Sequence, residues 1–280
     1  MQSNAPVVFI TGCSSGIGKA LALEYSRRGH RVFATARRPE MVDGLDQPGI
    51  ETLPLDVTDA HSIDTTVHEV LRRAGRIDVL VNNAGYGLMG PILHEPASEL
   101  RRQFETNVFG ALAVAQAVAT SMIARKQGLI VNVGSISAVL TTPFAGAYCA
   151  SKAALHALSD AMRLELEPLG IRVVTLRPGY VSSRFGDTAS KSVTGLDQAD
   201  SPYQPIRDFI EQRAMTSQDG AMDTDVFARR TVDALLRRRP PHVIGHGPKS
   251  FLLPALSWLL PLEATDWILR RKFGLSLLGR

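Results

Sequence analysis

Tyr148 and Lys152 stand four positions apart in a run of small residues that is typical of the start of a helix. Residues at this spacing share one face of a helix, so the phenol and the ammonium group would be neighbours. A cation beside a phenol favours the phenolate, and we therefore expect the pKa of Tyr148 to fall from about 10 towards neutrality. Such a pair could protonate an alkoxide as it forms, or accept the proton of an alcohol as hydride leaves. Most pairs with this spacing are ordinary surface pairs, so the role needs support from the rest of the chain.

The composition is that of a globular protein without a strong overall charge. The chain has 280 residues, of which 45% are hydrophobic, and a formal net charge of +4. This is enough apolar material for a core, and because the basic residues are dispersed we expect no nucleic-acid partner. The basic clusters 237–239 and 270–272 could be solvated helix ends or could touch an anionic membrane surface.

The cysteine content predicts a reducing environment. Cys13 and Cys149 do not make a disulfide framework and have no metal-ligand spacing, so we expect no bound metal. The apolar run Val7–Ile10 is too short for a secretory signal, and we expect a cytoplasmic protein. We interpret both cysteines as packed small residues rather than reactive thiols, with some risk of oxidation at Cys13.

A glycine-rich segment lies between the first predicted strand, Val7–Ile10, and a predicted helix over 19–28. Its spacing is G-x-x-x-G-x-G rather than the usual G-x-G-x-x-G. Glycines at a first strand–helix turn let the backbone approach a pyrophosphate, which the N–H groups of the helix end favour. We therefore predict that this segment binds a dinucleotide cofactor through Gly12, Ser14, Ser15, Gly16, Ile17 and Gly18.

The second predicted strand, Arg31–Ala36, ends without the acidic residue that commonly binds the adenosine ribose of such a cofactor. Arg37 and Arg38 follow it instead. Guanidinium groups suit a 2′-phosphate, by bidentate contact or by stacking on the adenine. We therefore expect NADP(H) to be preferred over NAD(H). A solvated basic turn is the alternative, and it does not explain the missing acid.

Strands and helices alternate along the following segment. The pattern predicts a third strand over 51–57, a helix over about 59–74 and a fourth strand over 77–81. This alternation without antiparallel signals predicts an α/β fold, namely a doubly wound parallel sheet with helices on both faces.

Several short motifs recur in a fixed order along the chain. They are Thr11-Gly12-Cys13-Ser14-Ser15-Gly16-Ile17-Gly18, Asp56-Val57, Asn82-Asn83-Ala84-Gly85, Asn107, Ser135, Tyr148 with Lys152, and Pro178-Gly179. In this order, and with Ser135 thirteen residues before Tyr148, they resemble the short-chain dehydrogenase/reductase family over roughly residues 7–183. The resemblance implies a single-domain Rossmann-type fold.

The resemblance also implies a catalytic tetrad. Ser135 would hydrogen-bond the substrate oxygen, Tyr148 would be the general acid/base, and Lys152 would hold the nicotinamide ribose and lower the pKa of Tyr148. Asn107 would kink a helix predicted over about 97–126 and hold a water of a proton relay. The further cofactor contacts that it implies are Asp56, Val57, Asn83, Ala84, Gly85, Tyr148, Lys152, Pro178, Gly179, Val181 and Ser183, the last where the family often has threonine.

Residues 184–225 turn polar and weakly periodic, and in the family the region after Pro178-Gly179 covers the substrate. We predict a core over 5–183, a substrate lid over 184–225 and an apolar tail over 249–280 within the single domain 1–280. A lid helix is predicted over 206–215, with Phe209 and Ile210 facing inward. The expected substrate contacts are Ser135, Leu140, Phe144, Tyr148 and Phe209.

The segment 250–261 is unusually apolar, but it is shorter than the ~20 residues that cross a bilayer. It could pack over the mouth of the pocket or against a neighbouring subunit. Alternatively, Trp258, Trp267 and the basic cluster 270–272 could form an interfacial anchor that gives peripheral membrane contact.

The glycine loop, the turn Ala36-Arg37 and the apolar tail resemble the 17β-hydroxysteroid dehydrogenase and retinol dehydrogenase branch of the family. This implies NADP(H)-dependent interconversion of a hydrophobic alcohol and its ketone or aldehyde, and not a sugar or a charged acid. One alternative is a reductase of acyl-chain or other lipid carbonyls. An alternative of another class is an NADPH-sensing binding protein.

In the family, the outer faces of the helices around Asn107 and after Tyr148 form dimers or tetramers. We therefore expect a homodimer or homotetramer. The apolar residues predicted on these faces are Ala113, Val114, Ala117, Leu158, Ala161 and Leu164.

Overall fold

The computed structural model describes residues 5–38, 40, 42, 44–183, 185, 186, 189, 193 and 201–278. The predicted lid over 184–225 and the ends of the predicted domain therefore fall partly outside the described residues.

A seven-stranded parallel sheet forms the centre of the molecule, in the order β3-β2-β1-β4-β5-β6-β7. Its strands are β1 Val7–Ile10, β2 Arg31–Ala36, β3 Ile50–Pro54, β4 Val79–Asn82, β5 Gly128–Val133, β6 Ile171–Pro178 and β7 Val243–His246. The strand order reverses at β1, so the carboxyl ends of β1 and β4 flank the crevice where such sheets bind ligands. The predicted doubly wound fold is confirmed.

Nine α-helices lie wholly within the described residues. They are α1 Gly16–Arg27, α2 Ala60–Ala74, α3 Ala97–Phe104, α4 Gly110–Arg125, α5 Gly146–Leu166, α6 Arg207–Met215, α7 Thr224–Leu235, α8 Leu252–Leu259 and α9 Leu262–Lys272. The third strand ends earlier than predicted, at Pro54. Asp56 instead accepts hydrogen bonds from the N–H and hydroxyl of Thr58, and this local turn competes with extended structure.

The core lies on both faces of the sheet because successive side chains of a strand point to opposite faces. Val8 and Ile10 of β1 pack on the face that carries α1 and α7. Val7 and Phe9 pack on the other face, with α2 and α4. Burial on both faces explains why the strands are continuous apolar runs rather than alternating ones.

The helical run Ala97–Arg125 has the length of a membrane span, and its most apolar window has a mean hydropathy of 1.5. A core helix can have the same length and composition. Val114 and Val118 of this run are fully buried, in the same apolar cluster as Phe9 of β1 and Ile130 of β5. We therefore interpret the run as a core helix. Val114 was predicted on an outer face, and this placement is wrong because the sheet covers it.

The C-terminal segment contains two helices, α8 and α9, neither of which has a buried residue. Phe273, just after α9, is buried in a cluster with Phe144, Ile206 and Ile210. The tail therefore packs on the lid helix α6 through its end, while most of its own apolar surface stays exposed.

Candidate active site

A cavity of about 960 Å³ opens at the carboxyl edge of the sheet. It brings together most of the predicted site residues. Those that line it are Gly12, Ser14, Ser15, Gly16, Ile17, Arg37, Asp56, Val57, Asn83, Ala84, Gly85, Ser135, Leu140, Tyr148, Lys152, Pro178, Gly179, Val181 and Ser183. Five predicted residues do not line it: Gly18, Arg38, Asn107, Phe144 and Phe209.

The glycine loop is fixed against the end of β4. The hydroxyl of Thr11 accepts hydrogen bonds from the N–H groups of Asn83 and Ala84, both at 3.0 Å. The Asn83 amide donates to the carbonyls of Thr11 at 3.0 Å and Gly12 at 2.9 Å. A Cβ on Gly12 would lie 2.7 Å from the Cα of Ala84, so only glycine allows this approach. Thr11 thus holds the loop, a role that the sequence did not indicate.

This loop fits the pyrophosphate of a dinucleotide. Ser15, at the N-cap of α1, makes no side-chain capping hydrogen bond, and the cavity is lined by Gly16 and Ile17 at the start of that helix. The N–H groups of a helix start favour an anion. Gly18 lies behind the loop, where a Cβ would stand 2.3 Å from the Asn83 amide nitrogen, so it permits packing rather than contact with a ligand.

Arg37 and Arg38 differ in placement. Both are exposed, but only Arg37 lines the cavity, beside Asp56 and Thr58. Burial opposes ionisation of Asp56, yet two hydrogen bonds from Thr58 and the charge of Arg37 lower its pKa overall. Of the two guanidinium groups, that of Arg37 is therefore the one in the cavity lining, next to the end of β2.

Asn107 lies in a single π-helical segment, Glu105–Phe109, between α3 and α4. A kink was predicted at Asn107, and π-helical segments are among the places where helices bend. The side-chain oxygen accepts the N–H of Tyr86 at 3.1 Å, and the nitrogen donates to the Tyr86 carbonyl at 2.9 Å and the Ser151 hydroxyl at 3.1 Å. Asn107 therefore ties helix α5 to the loop after β4 from behind the cavity lining.

Tyr148 and Lys152 lie on α5 as predicted, but their electrostatics differ from the prediction. The Lys152 ammonium donates to the Val133 carbonyl at 2.8 Å and lies 6.0 Å from the centre of the Tyr148 ring. Burial raises the pKa of Tyr148 to about 12, against the lowering effect of a hydrogen bond with Ser135. Burial also lowers the pKa of Lys152 to about 8. The expected fall in the tyrosine pKa is wrong for these side chains, because desolvation of the phenolate dominates.

Ser135 is held from two sides. Its hydroxyl accepts the N–H of Ser137 at 3.0 Å, and its own N–H donates to Nε2 of His156 at 3.3 Å. Burial, followed by the charges of Lys152 and Arg177, lowers the pKa of His156 to about 4. The imidazole is therefore neutral and can accept this hydrogen bond. His156 was missed, although it stands four residues after Lys152 on the same helix face.

The predicted substrate contacts are only partly correct. Leu140 lines the cavity, whereas Phe144 is buried beneath the lid helix with Ile206 and Ile210. Helix α6 buries Ile210 and Ala214, four residues apart, so Phe209 turns sideways towards the C-terminal segment. The apolar lining residues that the sequence did not reveal include Met89, Phe185, Ala214, Leu253, Leu269 and Phe273.

Both cysteines are packed residues, as predicted. Cys13 is completely buried, and Cys149 is buried beside the cavity. Burial raises the pKa of the Cys13 thiol to about 12 and also raises that of Cys149. Neither thiol is therefore activated as a nucleophile.

A parallel sheet in this strand order, with a glycine loop after β1 and Ser135, Tyr148 and Lys152 beside it, defines a Rossmann-type oxidoreductase. A family model described as short chain dehydrogenase matches residues 6–193. The chain belongs to the short-chain dehydrogenase/reductase family.

Relatives and a solved structure match the chain over almost its whole length. The 3-ketodihydrosphingosine reductase of Bacteroides thetaiotaomicron is 37% identical over 258 residues, which cover 90% of this chain and 93% of that protein. The NADPH-dependent 3-dehydrocapnine reductase of Ornithobacterium rhinotracheale is 31% identical over 268 residues, 92% of this chain and 94% of that protein. A crystal structure of a short-chain dehydrogenase from Streptomyces avermitilis, 31% identical, gives a TM-score of 0.79 over 98% of both chains.

Proposed function

We propose that this protein is an NADP(H)-dependent oxidoreductase that interconverts a hydrophobic alcohol and its ketone or aldehyde. The observation that carries the proposal is the arrangement of Ser135, Tyr148 and Lys152 in the same cavity as the glycine loop. A sensor of the cofactor would need the loop but not these three side chains.

Each proposed role follows from the position of its group. When bound, the cofactor supplies or accepts the hydride at the carbonyl carbon. Ser135 hydrogen-bonds the carbonyl oxygen, and Tyr148, whose raised pKa keeps it protonated, donates its proton to that oxygen in the reduction direction. Lys152 holds the nicotinamide ribose, and its charge stabilises the phenolate that remains. Asn107 and His156 position α5 and Ser135.

The preference for NADP(H) rests on Arg37. It follows the end of β2, where an acidic residue would otherwise bind the ribose hydroxyls, and it lines the cleft. A guanidinium can bind a 2′-phosphate, whereas an acid at this position would repel it. The NADPH dependence in the name of the Ornithobacterium relative supports the same preference.

The apolar residues in the cavity lining support the proposal of an apolar substrate. The cavity is lined by the apolar side chains of Leu140, Phe185, Leu253 and Leu269. The resemblance to the hydroxysteroid and retinol branch remains a prediction. The reductases named among the relatives favour the second candidate, a reductase of acyl-chain or other lipid carbonyls.

The C-terminal surface supports peripheral membrane contact of an otherwise cytoplasmic protein. Trp258 is 87% exposed and Trp267 is 62% exposed, and Arg270 to Lys272 form the basic end of α9. Tryptophan and basic residues beside an apolar surface suit an anionic interface. The protein should float with vesicles that contain phosphatidylglycerol, and Trp258→Glu should reduce the floating fraction. Wild-type protein that stays at the bottom of the gradient would exclude this contact.

A homodimer or homotetramer is proposed on the outer surface of α4 and α5. Two apolar side chains on this surface are largely exposed: Leu164 of α5, and Phe109, which directly precedes α4. Leu158 of α5 is half-buried. Light scattering should give a mass at least twice that of one chain, and Leu164→Glu should lower it. A monomer at micromolar concentration would contradict the proposal.

The function is tested by following NADPH or NADH absorbance with a panel of hydroxysteroids, retinoids, fatty aldehydes, long-chain oxo lipids and simple ketones. Turnover of apolar carbonyls or alcohols with the phosphorylated cofactor is expected. The class that reacts fastest distinguishes the two candidate functions. Tight NADPH binding with no turnover of any compound would favour the sensor and contradict the enzyme.

A further inference from the structure

Arg213 lies in the lid helix α6 and lines the cavity, although only 9% of its surface is exposed. Its Nη2 and Nε donate to the hydroxyl of Thr142, at 2.8 and 3.1 Å. Its Cζ lies 5.8 Å from the centre of the Phe273 ring. These contacts fix the guanidinium against the substrate side of the cavity.

This buried charge has no carboxylate partner among the described residues. Among the described residues, the titratable groups that influence it are Cys149, Tyr180 and Tyr148, which are a thiol and two phenols. Arg125, which is partly buried, is paired with Asp78 at 3.0 Å, whereas the buried Nε of the half-buried Arg177 has no hydrogen-bond partner among the described residues. A buried charge is normally paired, because a neutral partner does not offset the cost of removing the charge from water.

The hydrogen bonds to Thr142 do not explain why a charged guanidinium is buried at this position. Arginine has five N–H donors, and Thr142 accepts only two of the hydrogen bonds they could make. A neutral glutamine could donate to the same hydroxyl without the cost of burying a charge. A merely structural role therefore leaves the charge of Arg213 unexplained.

Arg213 lies in the part of the cavity where we propose that the substrate binds, rather than beside the proposed dinucleotide site. Its charge acts on the catalytic Tyr148, and its contacts come from Thr142, which precedes the catalytic helix, and from Phe273 of the tail. Ala214, Leu253 and Leu269 add apolar surface to the same cavity. The glycine loop and Arg37 belong to other elements, which follow β1 and β2.

We propose that Arg213 binds an anionic group, a carboxylate, sulfonate or phosphate, on an otherwise apolar carbonyl substrate or alcohol product. The inference rests on the proposed function, because it concerns the same cavity. It changes one expectation from the sequence, which was a neutral hydrophobic substrate. The substrate class becomes an amphipathic oxo acid or a related anionic lipid.

The test uses the full chain, saturating NADPH and oxododecanoates with the ketone at carbon 3, 4 or 5, each as the free carboxylate and as the methyl ester. For at least one ketone position, the wild-type kcat/KM should favour the carboxylate by roughly 10- to 100-fold, the range of one charge-assisted hydrogen bond. Arg213→Gln should remove most of this preference by raising the KM of the carboxylate. Arg213→Lys should keep part of the preference.

Arg207→Gln is the matched control, because Arg207 is exposed on the same helix and pairs with Glu211. It should keep the carboxylate preference. In the wild-type protein, decanoate should also inhibit at a concentration at least roughly tenfold lower than 1-decanol, a measurement that needs no variant to fold.

Three outcomes separate the claims. Equal use of acids and esters by the wild-type protein, or an unchanged ratio in Arg213→Gln, would overturn the role of Arg213. A raised KM for NADPH in Arg213→Gln with the ratio unchanged would also overturn it and would assign the residue to the cofactor. No NADPH-dependent turnover of acids, esters or the compounds of the wider panel would instead contradict the proposed function.

Discussion

The two walls of the cavity are held in different ways. We call residues 11–17 and 83–86, with Ser135, Tyr148 and Lys152, the strand wall. Here polar side chains are bound to backbone groups, as in the bonds from Asn83 to Gly12 and from Lys152 to Val133. We call Phe185, Arg213, Ala214, Leu253, Leu269, Lys272 and Phe273 the lid wall. Five of these seven residues are apolar, and the buried Arg213 has one hydroxyl, that of Thr142, as its hydrogen-bond partner among the described residues.

This difference separates two tasks. The strand wall uses the ends of parallel strands and a helix start, which fix the positions of donors and acceptors for a cofactor and a proton transfer. The lid wall is formed by segments that contact each other through side-chain packing, so changes there alter shape and charge without moving the reacting groups. We therefore expect strand-wall variants to change rate and cofactor use, and lid-wall variants to change substrate choice.

The largest effect is expected from Tyr148→Phe in the strand wall. Loss of the general acid should lower kcat by roughly 100- to 10,000-fold while the affinity for NADPH stays within a fewfold of wild type. Steady-state rates and NADPH fluorescence titration measure the two quantities. Tyr203→Phe removes a phenol that does not line the cavity and should have little effect. A near-wild-type kcat in Tyr148→Phe would refute the assigned role.

His156→Gln should change the pH dependence of stability, because His156 supports Ser135 in its neutral form. The folded state holds the pKa of His156 at about 4, and the unfolded chain protonates it near ~6.5. Between these values the unfolded state binds more protons, so wild-type stability falls as the pH falls. This contributes a loss of roughly 2–3 kcal/mol between pH 7 and about 4.5, and no loss above about 6.5.

Urea unfolding at both pH values measures this loss. His156→Gln should lose correspondingly less stability on acidification, because glutamine does not titrate. His68→Gln, at an exposed position, should behave like wild type. Parallel pH profiles for wild type and His156→Gln would show that the imidazole is not held neutral.

Arg37→Asp should reverse the cofactor preference, because Arg37 lines the cavity where we propose that the adenosine of the cofactor binds. The kcat/KM with NADPH should fall by roughly 10- to 100-fold as a charge-assisted contact becomes a repulsion, while that with NADH should hold or rise. Arg38→Asp makes the same charge change one residue away, outside the cavity lining. Equal effects of the two variants would mean that Arg37 acts only through net charge.

The smallest effect tests which apolar side chains contact the substrate. Leu140 lines the cavity and Phe209 does not. Truncation of Leu140 to alanine should raise the KM of an apolar ketone by roughly 3- to 10-fold, at about 0.8 kcal/mol per buried methylene. Phe209→Ala should change it less than Leu140→Ala. A larger effect of Phe209→Ala would place that ring in the substrate site.

The strand wall could be predicted from the sequence because its residues sit at strand and helix ends, where local pattern and position coincide. The glycine loop, Arg37 and the Ser135–Tyr148–Lys152 set reach the cavity as expected. Gly18 was predicted to contact the cofactor and Asn107 to hold a water of a proton relay, but neither lines the cavity. One-dimensional spacing does not distinguish a residue that touches a ligand from one that supports its neighbour.

The lid wall was less predictable because its contacts are long-range. Phe209 and Ile210 are adjacent, and both were predicted to face inward. Of these two residues, only Ile210 is fully buried. Arg213 is one of many basic residues, and nothing local marks it as buried beside Tyr148. The pKa of Tyr148 was mispredicted for a related reason. Spacing identified the nearby cation, but the desolvation that outweighs it depends on the whole fold.

The central claim, hydride transfer with Tyr148 as the proton donor, is tested most directly with NADPH deuterated at C4 and the most active ketone of the panel. Single-turnover reactions of wild type and Tyr148→Phe would be compared by mass spectrometry of the alcohol. The account predicts deuterium at the carbinol carbon in wild type and far slower product formation in the variant. Two results would contradict the account. One is an alcohol without deuterium whichever of the two C4 hydrogens of NADPH is replaced, and the other is an equal rate in the two proteins.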